Sequence, residues 1–176
     1  MSVHAGSVHT AFLATRGQVF TCGKSEYAGH GTSYDVLTPL IVETLKDVEV
    51  TQITVGPGGY HTIVLTNKNE IYSWGHNRVG QLGYVNNPSV PRNVEGAFYL
   101  PKPAQIKGIF AEDTSKVITQ LVAGWGHSGL LTSDGTPYLC GRNIVGQLGL
   151  GIVCFFVNLM INILIIYTKC IFFNYF

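Results

Sequence analysis

Ten residues are spelled almost twice: WGHNRVGQLG at 74–83 and CGRNIVGQLG at 140–149. A chain that repeats a phrase builds one supersecondary unit several times, and such a unit buries its apolar face only by stacking on neighbours. A histidine fixes the period. His9, His61 and His127 each stand fourteen residues before a glycine, Gly23, Gly75 and Gly141, without a gap. The histidines at 9, 61 and 127 are 52 and then 66 residues apart, so the surplus lies elsewhere. Gly31 is followed eight residues on by Pro39, whereas Gly83 is followed twenty residues on by Pro103. The second unit therefore carries an insertion, mainly residues 84–100.

Inside a unit apolar residues alternate instead of recurring at helical spacing, so residues 62–65, 67–69 and 70–74 read as strand, tight turn, strand. The matching turns are Thr15-Arg16-Gly17 and Ser133-Asp134-Gly135, the latter carrying the Asp-Gly pair that favours hairpins. The phrase after each hairpin reads as a corner. Gly75, Gly80 and Gly83, and likewise Gly141, Gly146 and Gly149, turn the chain, and Asn77 and Asn143 suit side-chain bonds to nearby backbone. Gln81 and Gln147 can satisfy backbone groups left unpaired by the turn, and Leu82 and Leu148 anchor it. The first unit has GKSEYAGHG at 23–31, with Ala28 at a glycine position, a degenerate corner. Four short strands in about fifty residues is the arithmetic of a propeller blade.

The GxxHTxxL stretch, the hairpin and WGxNxxGQLG together resemble the repeat of the regulator of chromosome condensation family, over residues 5–151. The resemblance implies an all-β fold, a partial β-propeller of about two and a half blades where the family closes at seven. The units fall at about 3–54, 55–120 and an incomplete 121–151. Seven blades would need on the order of 350 residues, so a chain of 176 is expected to be a fragment or truncated product.

Residues 152–176, IVCFFVNLMINILIIYTKCIFFNYF, form a hydrophobic tail whose one charge is Lys169. Its codon-biased composition reads as intron translation, ahead of a membrane anchor through 152–168 or a buried soluble segment. Net charge is +1 with no basic run, which argues against nucleic-acid binding. Four cysteines, Cys22, Cys140, Cys154 and Cys170, show no paired spacing; Cys22 and Cys140 stand where Trp74 stands and read as packed apolar residues in a reducing compartment. The expected location is cytoplasm or nucleus, with the membrane as the alternative.

A three-histidine metal site at His9, His61 and His127 is disfavoured, because one residue per blade on equivalent strands does not converge on an ion. The expectation is a structural role, with the ring bridging strands. AGWGHS at 123–128 resembles a Gly-Trp-Arg-His-Thr stretch of plant ultraviolet-B photoreceptors built on this repeat, but Gly126 stands at the arginine position, and Trp125 is expected to be a packed aromatic. In exchange-factor members of the family a wedge from a blade contacts a GTPase; by position alone the insertion, with Arg92, Phe98 and Tyr99, is the candidate partner loop. No nucleophile with its base, phosphate loop, cofactor site or metal site is read. The leading expectation is a non-enzymatic module binding a protein partner; the alternatives are a regulator of nucleotide exchange on a small GTPase and a membrane-anchored repeat protein.

Overall fold

The computed structural model describes residues 1–83, 96–107 and 115–162, with side chains as far as Cys154. Alternating apolar and polar positions make antiparallel strands, and these fall into three four-stranded sheets in chain order. The first contains β1 (Ser2–Ala5), β2 (His9–Leu13), β3 (Val19–Gly23) and β4 (Val36–Ile41), with a single helical turn, α1 (Ser25–Ala28), between the last two. The second contains β5 (Val50–Val55), β6 (His61–Thr66), β7 (Ile71–His76) and β8 (Tyr99–Gln105). The third contains β9 (Ile118–Ala123), β10 (His127–Thr132), β11 (Pro137–Asn143) and β12 (Cys154–Asn162). This is the expected all-β partial propeller.

The central hairpins obey one register: His9 pairs with Gly23, His61 with Gly75 and His127 with Gly141. Each hairpin turn has a left-handed residue at the same place, Gly17, Asn69 and Gly135 at φ 72°, 62° and 80°. Glycine or asparagine holds that conformation at low cost, which is why these residue types recur there.

Two expectations shift. The boundaries at 54/55 and 120/121 fall inside β5 and β9, because the recognisable signature marks only the second and third strands of a sheet. The first strand, which precedes the histidine, reads in sequence as a trailing run of the previous unit. The third unit also does not stop at 151: β12, drawn from the hydrophobic tail, pairs antiparallel with β11 and gives that sheet its fourth strand. Among the described residues no helix is long and apolar enough to cross a membrane; residues 163–168 of the expected span lie outside them.

The core lies between sheets. One seam joins Ala11, Val19 and Val42 of the first blade to Val50, Ile53, Val55, Val64 and Trp74 of the second. The other joins Ile63, Leu65 and Ile71 of the second blade to Ile118, Leu121, Leu130, Tyr138 and Cys140 of the third. Each blade thus buries one face against each neighbour, as stacked repeats must.

Candidate functional site

The repeated phrase forms two corners with the same hydrogen bonds. Leu82 N–H donates to Asn77 Oδ1 at 2.9 Å, and Leu148 N–H to Asn143 Oδ1 at 3.0 Å. Val79 N–H donates to Gln81 Oε1 at 3.1 Å, and Val145 N–H to Gln147 Oε1 at 3.0 Å. Asn77, Asn143, Leu82 and Leu148 are fully buried. Gly80 and Gly83 (φ 77° and 79°) match Gly146 and Gly149 (φ 76° and 67°). Gly75, at φ 98°, leaves no room for a side chain: a Cβ there would sit 2.4 Å from the Tyr60 carbonyl oxygen. Gly23 and Gly141 are equally confined by Val8 and Gly126 carbonyls. In the first blade α1 replaces the corner, and Asp35 Oδ1 accepts from Ser25 N–H at 3.0 Å.

The histidines bridge blades. His9 Nε2 lies 2.8 Å from Thr62 Oγ1, and His61 Nε2 lies 2.8 Å from Ser128 Oγ. Ser128 Oγ in turn donates to the Gln81 carbonyl at 2.7 Å, so its proton is committed and its lone pair accepts from His61 Nε2–H. Each clasp therefore runs from the histidine of one blade to the residue after the histidine of the next. Among the described residues Nδ1 of His9 and of His61 has no partner. In His61, with the proton fixed on Nε2, that atom is a bare lone pair. Protonating it would create a buried donor with no acceptor, and burial lowers His9 to about 4 and His61 to about 3. Sequence reasoning placed the histidines on equivalent strands but missed their hydroxyl partners. The signal was present: Thr10, Thr62 and Ser128 follow the three histidines in turn.

The ends of β3, β7 and β11 and the starts of β2, β6 and β10 lie at one edge of the blades, the corner face. Aromatic rings gather there. Tyr27 lies edge-on to Tyr60 at 5.5 Å, to His76 at 6.2 Å and to Tyr99 at 6.4 Å between centroids. Gln81 Nε2–H donates to His76 Nδ1 at 2.8 Å, joining the corner to this cluster. Trp125 differs from expectation: it is 54% exposed, not packed. The Arg142 guanidinium carbon lies 4.8 Å from the centre of its ring. Arg142, on the adjacent strand, thus supplies the cation that Gly126 cannot, and an arginine over an indole is an attractive pair. Cys22, expected to be packed, is half-buried, whereas Cys140 is fully buried.

The C-terminal end of the candidate partner loop is part of the second blade. Tyr99 and Leu100 belong to β8, paired with His76 and Gly75, and the Phe98 carbonyl accepts from Asn77 N–H at 2.7 Å. Phe98 and Tyr99 are half-buried parts of the blade; Arg92 lies outside the described residues. Residues 84–95, between Gly83 and Gly96, lie outside the described residues.

Burial pushes the Cys140 thiol up to about 12, which removes it as a nucleophile. Asp134 is a turn residue, its carboxyl held below the usual range by Lys116 first and then by Thr132. Among the described residues no group of three His, Cys, Asp or Glu side chains could hold a metal ion.

Residues 16–65 and 68–131 match the family described as "Regulator of chromosome condensation (RCC1) repeat". Each matched stretch starts in or near a hairpin turn and ends within a later sheet, so a sequence repeat straddles a seam. The Ultraviolet-B receptor UVR8 of Arabidopsis thaliana is 32% identical over 152 residues, which is 85% of this chain and 31% of that one. The E3 ubiquitin-protein ligase HERC2 of Homo sapiens is 28% identical over 86% of this chain and 4% of its own length. This chain spans a third or less of both relatives. Among solved structures, yeast RCC1 (Prp20) bound to Kap60 superposes over 92% of this chain and 36% of its own with a TM-score of 0.76 at 20% identity, a likeness of fold.

Proposed function

The chain belongs to the regulator of chromosome condensation repeat family, and from that premise we propose that it is a non-enzymatic protein-interaction module whose partner docks on the corner face. The half-exposed Trp125 under Arg142 carries the reading, since tryptophan and arginine are the side chains that most often anchor interfaces. The repeat is found in a receptor and in a much larger ligase, which supports a shared recognition scaffold and not a shared reaction. Three described cysteines are free thiols, consistent with the cytoplasm or nucleus. The immobilised chain is compared with Trp125→Ala, Arg142→Ala and, at the opposite edge, Asp134→Ala. Partners lost from the first two and kept by the third support the reading; identical partners on all three overturn it.

A second reading is nucleotide exchange on a small GTPase through the insertion between Gly83 and Gly96. A solved structure of yeast Prp20p, similar in fold, is described with its binding to Gsp1p and histones. Release of labelled nucleotide at substoichiometric amounts of the chain would favour this reading over a passive module. Anchoring through residues 152–168 predicts carbonate-resistant pelleting with membranes, and extraction into the supernatant excludes it.

A further inference from the structure

Charge is sorted between the two edges of the second and third blades. Their described carboxylates, Glu49, Glu70 and Asp134, stand in or beside the hairpin turns: Glu49 Oε2 accepts from the Asn67 amide at 2.7 Å, Glu70 follows Asn69, and Asp134 pairs with Lys116. The segments at the opposite edge are 56–60 and 74–83 of the second blade and 124–126 and 140–149 of the third. They contain no Asp or Glu, and they carry Arg78 and Arg142. Ion pairs among the described residues join Lys24 to Asp35, Lys46 to Glu43 and Lys116 to Asp134, so neither guanidinium has a carboxylate partner among them.

Both arginines belong to the patch around the exposed indole. A Cβ on Gly126 would lie 3.5 Å from Val79 Cγ2 and 3.7 Å from Arg142 Cβ, which sets the corner of the second blade, with exposed Arg78 next to Val79, beside Arg142. A Cβ on Gly58 would lie 3.5 Å from Trp125 Cδ1, so the indole reaches from the third blade toward the second, with one face under the Arg142 guanidinium. Guanidiniums without carboxylates beside an indole are complemented by carboxylates around an apolar side chain. A nucleic-acid backbone asks for a cation at each of several phosphates, and these segments supply two arginines. On the reading that a partner docks on the corner face, we propose that what docks there is an acidic protein segment. Its carboxylates pair with Arg78 and Arg142, and an apolar side chain between them packs on Trp125.

Trp125 itself reports the local field. Trp74 is fully buried, so ionic quenchers reach only the other of the two tryptophans. Relative to their effects on a free tryptophan amide, iodide is expected to quench about threefold better than caesium, and Arg78→Gln with Arg142→Gln to remove that preference. Binding is read by anisotropy with labelled peptides of about a dozen residues, one of Glu with Leu at intervals and one with Lys in place of Glu, and with a single-stranded oligonucleotide. The acidic peptide is expected to bind more tightly than the other two, and Arg78→Glu and Arg142→Glu each to weaken it about tenfold with circular dichroism unchanged. No quenching preference for iodide, an acidic peptide that fails to bind at high micromolar concentration or binds both variants like the parent, or tighter binding of the Lys peptide or the oligonucleotide overturns the proposal. Captured partners lost from Trp125→Ala but kept by Arg78→Glu overturn the acidic segment and leave the corner-face reading standing; partners indifferent to Trp125→Ala overturn both.

Discussion

The two seams solve one packing problem with opposite distributions of volume. At the first, the second blade presents Trp74, fully buried, to a first-blade turn in which Gly29 leaves the space; a Cβ at Gly29 would lie 2.6 Å from Trp74 Nε1. At the second, the third blade presents Cys140 at the same register, and the facing corner carries Gln81 where the first blade has Gly29. The Gln81 carbonyl accepts from Ser128 Oγ, with the Cys140 thiol 3.7 Å away. A large side chain meets a glycine in one seam, and a small one meets a complete, hydrogen-bonded corner in the other. Close packing conserves the sum of the facing volumes, not the identity of either residue.

Removing the large side chain gives the largest effect. Trp74→Ala is expected to cost about 3–5 kcal/mol, more than any truncation at Cys140, read as the loss of denaturation midpoint in urea. Acid is next. His9 and His61 are neutral in the fold, while in the unfolded chain they protonate as pH falls below the ordinary value of 6.5. Stability is therefore complete above pH 6.5 and declines below it, by about 2 kcal/mol per histidine at pH 5. The decline from His9 ends near pH 4 and that from His61 near pH 3, so His61→Gln should flatten the lower limb of a stability curve and His9→Gln the upper part only.

Filling the space that Trp74 occupies tests the comparison from the other side. Gly29→Ala, at φ 90° and against the indole, should destabilise by about 2 kcal/mol, whereas Gln81→Ala, which removes side-chain bonds to Val79 and His76, should cost about 1 kcal/mol. Equal losses would mean that the seams share one packing rule. Ser128→Ala strands His61 Nε2–H in the second seam and is expected to lose about 1–2 kcal/mol by thermal melting. Trp125→Ala lies on neither seam and should change stability by less than about 0.5 kcal/mol.

Much of this architecture is written locally. Asn77 with Gln81, and Asn143 with Gln147, act on backbone within five residues, so the corner is readable wherever the phrase occurs. The positive-φ residues of the hairpins are readable for the same reason, since steric limits on φ depend on the residue alone. The ring partners were less visible because a clasp spans 53 residues from His9 to Thr62 and 67 from His61 to Ser128. Trp125 was misread because exposure depends on what neighbouring strands place beside a residue, and Arg142 comes from the next strand of the sheet.

By itself the sequence determined the unit: a histidine strand, a tight turn, a glycine-terminated strand and a corner, with apolar residues that alternate along its strands. Tertiary structure decided where each blade begins, that residues 154–162 pair as a fourth strand, and how volume is shared across each seam. The division has a physical cause. Turns and caps are set by sterics and hydrogen bonds within a few residues, whereas strand pairing and interblade packing depend on groups that only the folded chain brings within contact.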